Sequence, residues 1–135
     1  MSSHYREEFL QIYMSESIVQ KKLAKLILQQ LGEIIRLTFD GGKGVMITVS
    51  LVRVTADLSL AKVYVSVLPD KRLDEISEAL NEDAWRLRKE LAKRIRNKVR
   101  KIPDLRFYSD DSFIHAERID SLLNQISTDE PNSDL

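Results

Sequence analysis

Cysteine is absent from the chain, which excludes disulfide staples and thiolate metal sites and fits a reducing compartment. No long uncharged apolar run occurs, so no membrane-spanning helix is expected. Met1 is followed by polar SSHYREE rather than by a basic and then apolar stretch, so no secretory leader is expected and the protein is placed in the cytoplasm. Only two histidines are present, His4 and His115. A catalytic centre built on His115 with Asp110, Asp111 and Asp120 would need a second positioned group, and His4 lies in a remote extension. No metal, no cofactor and no enzymatic role are therefore expected. Glycine is scarce, and three of the four fall in Gly41-Gly42-Lys43-Gly44. A P-loop would need Gly-Lys followed by Ser or Thr, which is missing. The string reads as a turn requiring positive φ, with Lys43 touching a phosphate as the alternative.

What the sequence does have is charge, unevenly placed. Its 21 Lys/Arg balance 21 Asp/Glu, yet Arg86 to Arg106 holds ten cations and two acids. A local excess of this size concentrates polyanions such as RNA. With 135 residues the chain is long enough for one core and too short for a second catalytic lobe.

Hydrophobic spacing gives the elements. Residues 1–16 mix Phe9, Ile12 and Tyr13 with charge and read as an extension, either disordered or loosely docked. Ser17 with Gln20 forms a possible capping box, opening a helix to about Thr38 with Val19, Leu23, Ile27, Leu31 and Ile34 or Ile35 on its buried face. Val45 to Thr55 alternates but slips phase at Leu51 and Val52, predicting a bulged strand. Ala61 to Leu68 forms a second strand, close enough to pair antiparallel with the first. From Asp70 an apolar repeat runs through Leu73, Ile76, Leu80, Ala84, Leu87, Leu91, Ile95, Val99 and Ile102, predicting helix to about Lys101. A helix of that length is unusual in a small domain, and Asn81 and Asp83, which favour caps, mark the expected break. Leu105 to Tyr108 gives a third strand. Asp110 to Ser112 then caps a last helix carrying Ile119, Leu122, Leu123 and Ile126, and the polar tail 127–135 is expected to be disordered. Helices packed on one face of a small three-stranded sheet follow, an α+β architecture.

That order, with a basic helix just before the third strand, resembles the type II KH domain, which binds single-stranded nucleic acid. DLSLAKVYVSV (57–67), the run from Ala79 to Ser112 and RIDSLL from Arg118 are together similar to bacterial ribosome-binding factor A (RbfA), over roughly residues 17–126. The resemblance implies a non-enzymatic assembly factor that binds the immature or free 30S subunit, assists maturation of the 5′ region of 16S rRNA and matters most in the cold. A monomer is expected. A KH domain clamps backbone with Gly-x-x-Gly between its central helices, and RbfA proteins carry an Ala-x-Gly kink there. This chain has Asp83-Ala84-Trp85 instead, without glycine, and Asn81 and Asp83 are expected to keep the kink by capping.

Projected at about 100° per residue, Arg86, Lys89, Lys93, Arg96 and Arg100 share one helix face opposite Leu91. Five stacked cations repel one another, so anion binding explains them better than simple solvation. If all five met phosphates, log affinity would fall with log salt at a slope of roughly −3.5 to −4.5. Arg88, Arg94, Lys98, Lys101 and Arg106 widen the patch, some lying along the core edge. Trp85 is expected to fill space where the two helices meet, with base stacking beside Lys89 and Arg96 as the alternative. Tyr64 and Tyr108 sit at outward strand positions. A second functional reading is a protein-interaction module whose basic face meets an acidic protein.

Overall fold

The structure, a computed structural model, describes residues 15–110. Residues 1–14, the expected last helix with Ile119, Leu122, Leu123 and Ile126, the tail, and His115, Asp111 and Asp120 lie outside the described residues. The elements run α1 (Ile18–Thr38), β1 (Met46–Val54), β2 (Leu60–Leu68), a 3-10 turn (Asp70–Arg72), α2 (Leu73–Glu82), α3 (Ala84–Ile95) and β3 (Asp104–Ser109).

The capping box predicted from Ser17 and Gln20 forms in full. The Gln20 amide donates to Ser17 Oγ at 3.1 Å, and the Ser17 amide donates to Gln20 Oε1 at 2.9 Å. Gln20 also reaches across to the sheet, its Nε2 donating to the Val54 carbonyl at 2.8 Å. Below this cap Leu23, Ile27, Leu31, Ile34 and Ile35 are buried, but Val19 is 58% exposed, against the expectation from periodicity. Val19 lies in the first turn, where the buried stripe of the helix has not yet begun; it starts at Leu23.

The sheet has order β1-β2-β3, with β1 antiparallel and β3 parallel to β2. The register of β1 shifts between Val49 and Leu51, where the sequence slips phase. This bulge keeps Val52 and Val54 on the buried face after Ile47 and Val49 have used it. Ala61, Val63, Val65 and Val67 of β2 and Leu105 and Phe107 of β3 complete that face, and all three helices cover it. The Gly41 to Gly44 string is a turn, with φ of +102° at Gly42 and +78° at Gly44, as the positive-φ reading expects.

The β1–β2 turn is tighter than its sequence advertises. Leu58 adopts φ +62°, a left-handed conformation that costs an L-residue about 1–2 kcal/mol. Neighbouring bonds hold it there. The Asp57 carboxylate accepts from the Ser59 amide and hydroxyl at 3.1 and 2.7 Å and from the Thr55 hydroxyl at 2.8 Å, while the Leu58 amide donates to the Thr55 carbonyl at 2.9 Å. These bonds, first those from Ser59 and then that from Thr55, pull the Asp57 carboxyl down to about 2. Because the folded value is depressed, this contribution is present above the ordinary carboxylate range and lost as pH falls from about 4 through 2. We expect thermal stability to drop across that window, and Asp57→Asn to remove this part of the drop. A titration curve identical in the variant would contradict the assignment.

The long apolar repeat resolves into two helices. Asp83 takes φ −98° and ψ 6°, ending α2 and starting α3 without glycine. The expected capping does not occur, because the Asp83 carboxylate is held by Arg86, at 3.0 Å from Nε and 2.7 Å from Nη2, and makes no side-chain cap bond. Asn81 does not cap either. Its Nδ2 donates to the Phe107 carbonyl at 2.8 Å and its Oδ1 accepts the Phe107 amide at 2.7 Å, so the carboxamide serves as one more rung on the open edge of β3. α3 stops at Ile95 rather than near Lys101. The chain must return to pair Asp104 with Leu60, and six more helical residues would carry it about 9 Å further along the axis. Val99 and Ile102 keep the apolar period because they pack on the core from the loop. Among the described residues no helix is long and apolar enough to cross a membrane.

Candidate nucleic-acid interface

The amphipathic repeat buries Leu87, Leu91 and Ile95 of α3 and turns the opposite side of the helix to solvent. Lys89, Lys93 and Arg96 are exposed on that side, where projection places them. Lys93 reaches Glu90 at 3.3 Å, while the side chains of Lys89 and Arg96 have no hydrogen bond or ion pair among the described residues. Arg96 is the C-cap and keeps helical dihedrals, so it extends the row by one position.

Arg86 and Arg100 do not belong to that face. Arg86 is turned inward along the helix start, fastened to Asp83 and donating to the Thr38 carbonyl at 3.2 Å, which ties the break between α2 and α3 to the end of α1. Its partner Asp83 raises the guanidinium pKa, so its charge is fixed and locally neutralised. Arg100 lies beyond the helix end, exposed in the loop before β3. Arg88 is likewise structural: Nε donates to the Pro103 carbonyl at 3.1 Å and Nη2 to the Ile102 carbonyl at 2.8 Å, positioning the chain before β3. Arg94 pairs with Glu33 on α1 and reaches Gln30 at 3.3 Å, and the bond from Arg94 lowers the Glu33 pKa. Lys101 leans on the Asp57 carbonyl at 3.4 Å.

Basic residues in this stretch therefore divide into two groups. Arg86 and Arg88, through forked guanidinium bonds, and Arg94, through Nη1, hold elements together, whereas the side chains of Lys89, Arg96, Lys98 and Arg100 have no partner among the described residues and Lys93 has one pair, with Glu90. The exposed set runs from the outer side of α3 into the loop that follows it. Lys22, on the exposed side of α1, joins them beside Lys98 and Arg100; its distance in sequence hid it, and no local motif marks it.

Trp85 is 70% exposed at the start of α3, so it is not the packing anchor that a lone tryptophan usually is. The kink is tight enough to close around Asp83 and Arg86 without it. Lys43 is exposed in the glycine turn, and its side chain has no partner among the described residues. On the sheet face opposite the helices, Tyr64 and Tyr108 stack with ring centroids 5.3 Å apart and planes at 25°. Among the described residues no three His, Cys, Asp or Glu side chains gather as a metal site.

The family model of Ribosome-binding factor A matches residues 19–123. The chain belongs to the ribosome-binding factor A family. A Ribosome-binding factor A from Christiangramia forsetii is 40% identical over 124 residues, spanning 90% of this chain and 95% of the relative. The crystal structure of ribosome-binding factor A from Thermus thermophilus superposes with a TM-score of 0.57 at 28% identity, over 67% of this chain and 94% of that one. A Thermus thermophilus RbfA homology model, fitted into the cryo-EM map of a 30S–RbfA complex, is 30% identical with a TM-score of 0.50, over 62% of this chain and 86% of that one. The α+β fold and the family thus agree with the resemblance drawn from DLSLAKVYVSV and the basic run.

Proposed function

We propose that this chain is a ribosome assembly factor that docks on the free or immature 30S subunit through the exposed cations of α3 and the following loop. Lys89, Lys93, Arg96, Lys98 and Arg100 are the phosphate contacts, with Lys101 and Lys43 at the margins. Trp85, exposed one turn before Lys89, offers an indole face on which an unpaired base can stack. The site binds and positions RNA and performs no covalent chemistry. Acting in the cytoplasm, it assists maturation of the 5′ region of 16S rRNA, a task most demanding in the cold, when mispaired RNA is slow to rearrange.

The observation that carries this reading is the separation of structural from unengaged cations. Had the excess charge of Arg86 to Arg106 been spent on internal pairs, nothing would remain to meet a polyanion; the row from Lys89 to Arg100 remains. The 30S complex of the Thermus relative supports the small subunit as the partner, and the unengaged cations favour its RNA phosphates. Ribonuclease treatment of the isolated complex is the test: the protein should be released as the RNA is digested. A complex that survives digestion and sediments away from subunits would replace this reading with the protein-interaction module.

A further inference from the structure

A groove of about 510 Å³ opens between the first three turns of α1, the β1–β2 turn and residues 98–101. Its floor is aliphatic, formed by Leu23, Leu26, Leu58 and Val99, with the exposed Val19 at its edge. Its rim is cationic, formed by Lys22, Lys98, Arg100 and Lys101, and no acidic side chain lines it among the described residues. We infer that this groove holds an unpaired ribonucleotide, with the flat face of the base against the floor and the flanking phosphates on Lys22, Lys98 and Arg100. The inference rests on the RNA reading above and assigns the binding surface a second, pocketed part.

Three observations lead there. The groove continues the row of exposed cations on α3, since Arg96 is followed directly by the loop bearing Lys98 and Arg100, so one strand can pass from helix to groove. The volume lies within the roughly 300–1,000 Å³ of small-ligand pockets; a single aliphatic anchor from a protein partner would leave most of it open. Finally, the floor is held in place at a cost. Leu58 lines the groove from its left-handed conformation, fixed by Thr55, Asp57 and Ser59, and Lys101 bonds the Asp57 carbonyl of the same turn. Strain that persists under such reinforcement is characteristic of functional sites. An aliphatic floor has no groups to read base edges, so contact here is independent of base identity.

The test uses the full chain with labelled methyl groups, titrated with a short unstructured oligouridylate, with inorganic polyphosphate and with polyglutamate. Methyl resonances of Leu26, Leu58 and Val99 should shift with the oligouridylate and saturate together with signals from Lys89 and Lys93, while polyphosphate should leave the floor methyls in place. Lys22→Glu with Lys98→Glu should abolish the floor shifts and make the salt slope of RNA affinity shallower by about 1.4, from two lost single-strand phosphate contacts. Thermal unfolding should be unchanged, since both side chains are exposed. RNA shifts confined to α3 would overturn the groove while leaving the RNA surface intact. Absence of RNA binding anywhere would remove both. Floor shifts with polyglutamate but not with RNA would make the groove a protein site and overturn the inference.

Discussion

Replacing Lys89, Lys93 and Arg96 together by Glu should release the protein from small subunits with thermal unfolding nearly unchanged. All three side chains are exposed, and the only partner among the described residues is Glu90, 3.3 Å from Lys93, in a surface pair of small energetic weight. Fold and binding are therefore separable at these positions. If each cation meets one phosphate, the log–log salt slope of affinity becomes shallower by about 2 to 3. Arg86→Glu is the instructive contrast. It places a carboxylate beside Asp83 and deletes the bond to the Thr38 carbonyl, so its first effect is on stability. A triple variant that binds subunits as wild type does would move the interface away from α3.

Phe107→Ala should cost about 3–5 kcal/mol, the usual penalty for deleting a buried aromatic ring. Phe107 is 2% exposed and lies on β3 where α2 and α3 both pack, and its backbone is the one gripped by Asn81. Loss of the ring thus opens a cavity under the helix break and loosens the strand that Asn81 holds. Against a typical total of about 5–15 kcal/mol for a domain this is a large fraction, lowering the melting midpoint by roughly 15–30 °C. The denaturant midpoint should fall in step. A loss below about 1 kcal/mol would mean that the helices do not close over β3 as described.

Elements that depend on local rules were legible in the sequence. The Ser17–Gln20 box, the bulge after Val49 and the glycine turn each follow from a few neighbouring residues. The break at Asp83 was legible in place but not in mechanism, because the partners of Asn81 and Asp83 are set by tertiary contacts: Phe107 for the first and an arginine fastened to Thr38 for the second. The end of α3 was misplaced for a related reason. Val99 and Ile102 satisfy the helical period by packing from a loop, and periodicity cannot tell the two apart. Projection likewise treats every outward cation alike. Arg86 and Arg88 have long, forked side chains that fold back onto backbone carbonyls, and Lys22 joins the surface only through the fold.

The most direct test is sedimentation of the purified protein with 30S subunits, 50S subunits and whole ribosomes at low and at high salt. Co-sedimentation with free 30S at low salt, lost at high salt and weak with 50S and intact ribosomes, is the predicted result. Equal association with all three particles, or association insensitive to salt, would contradict an interface built from the exposed cations of α3 and its following loop.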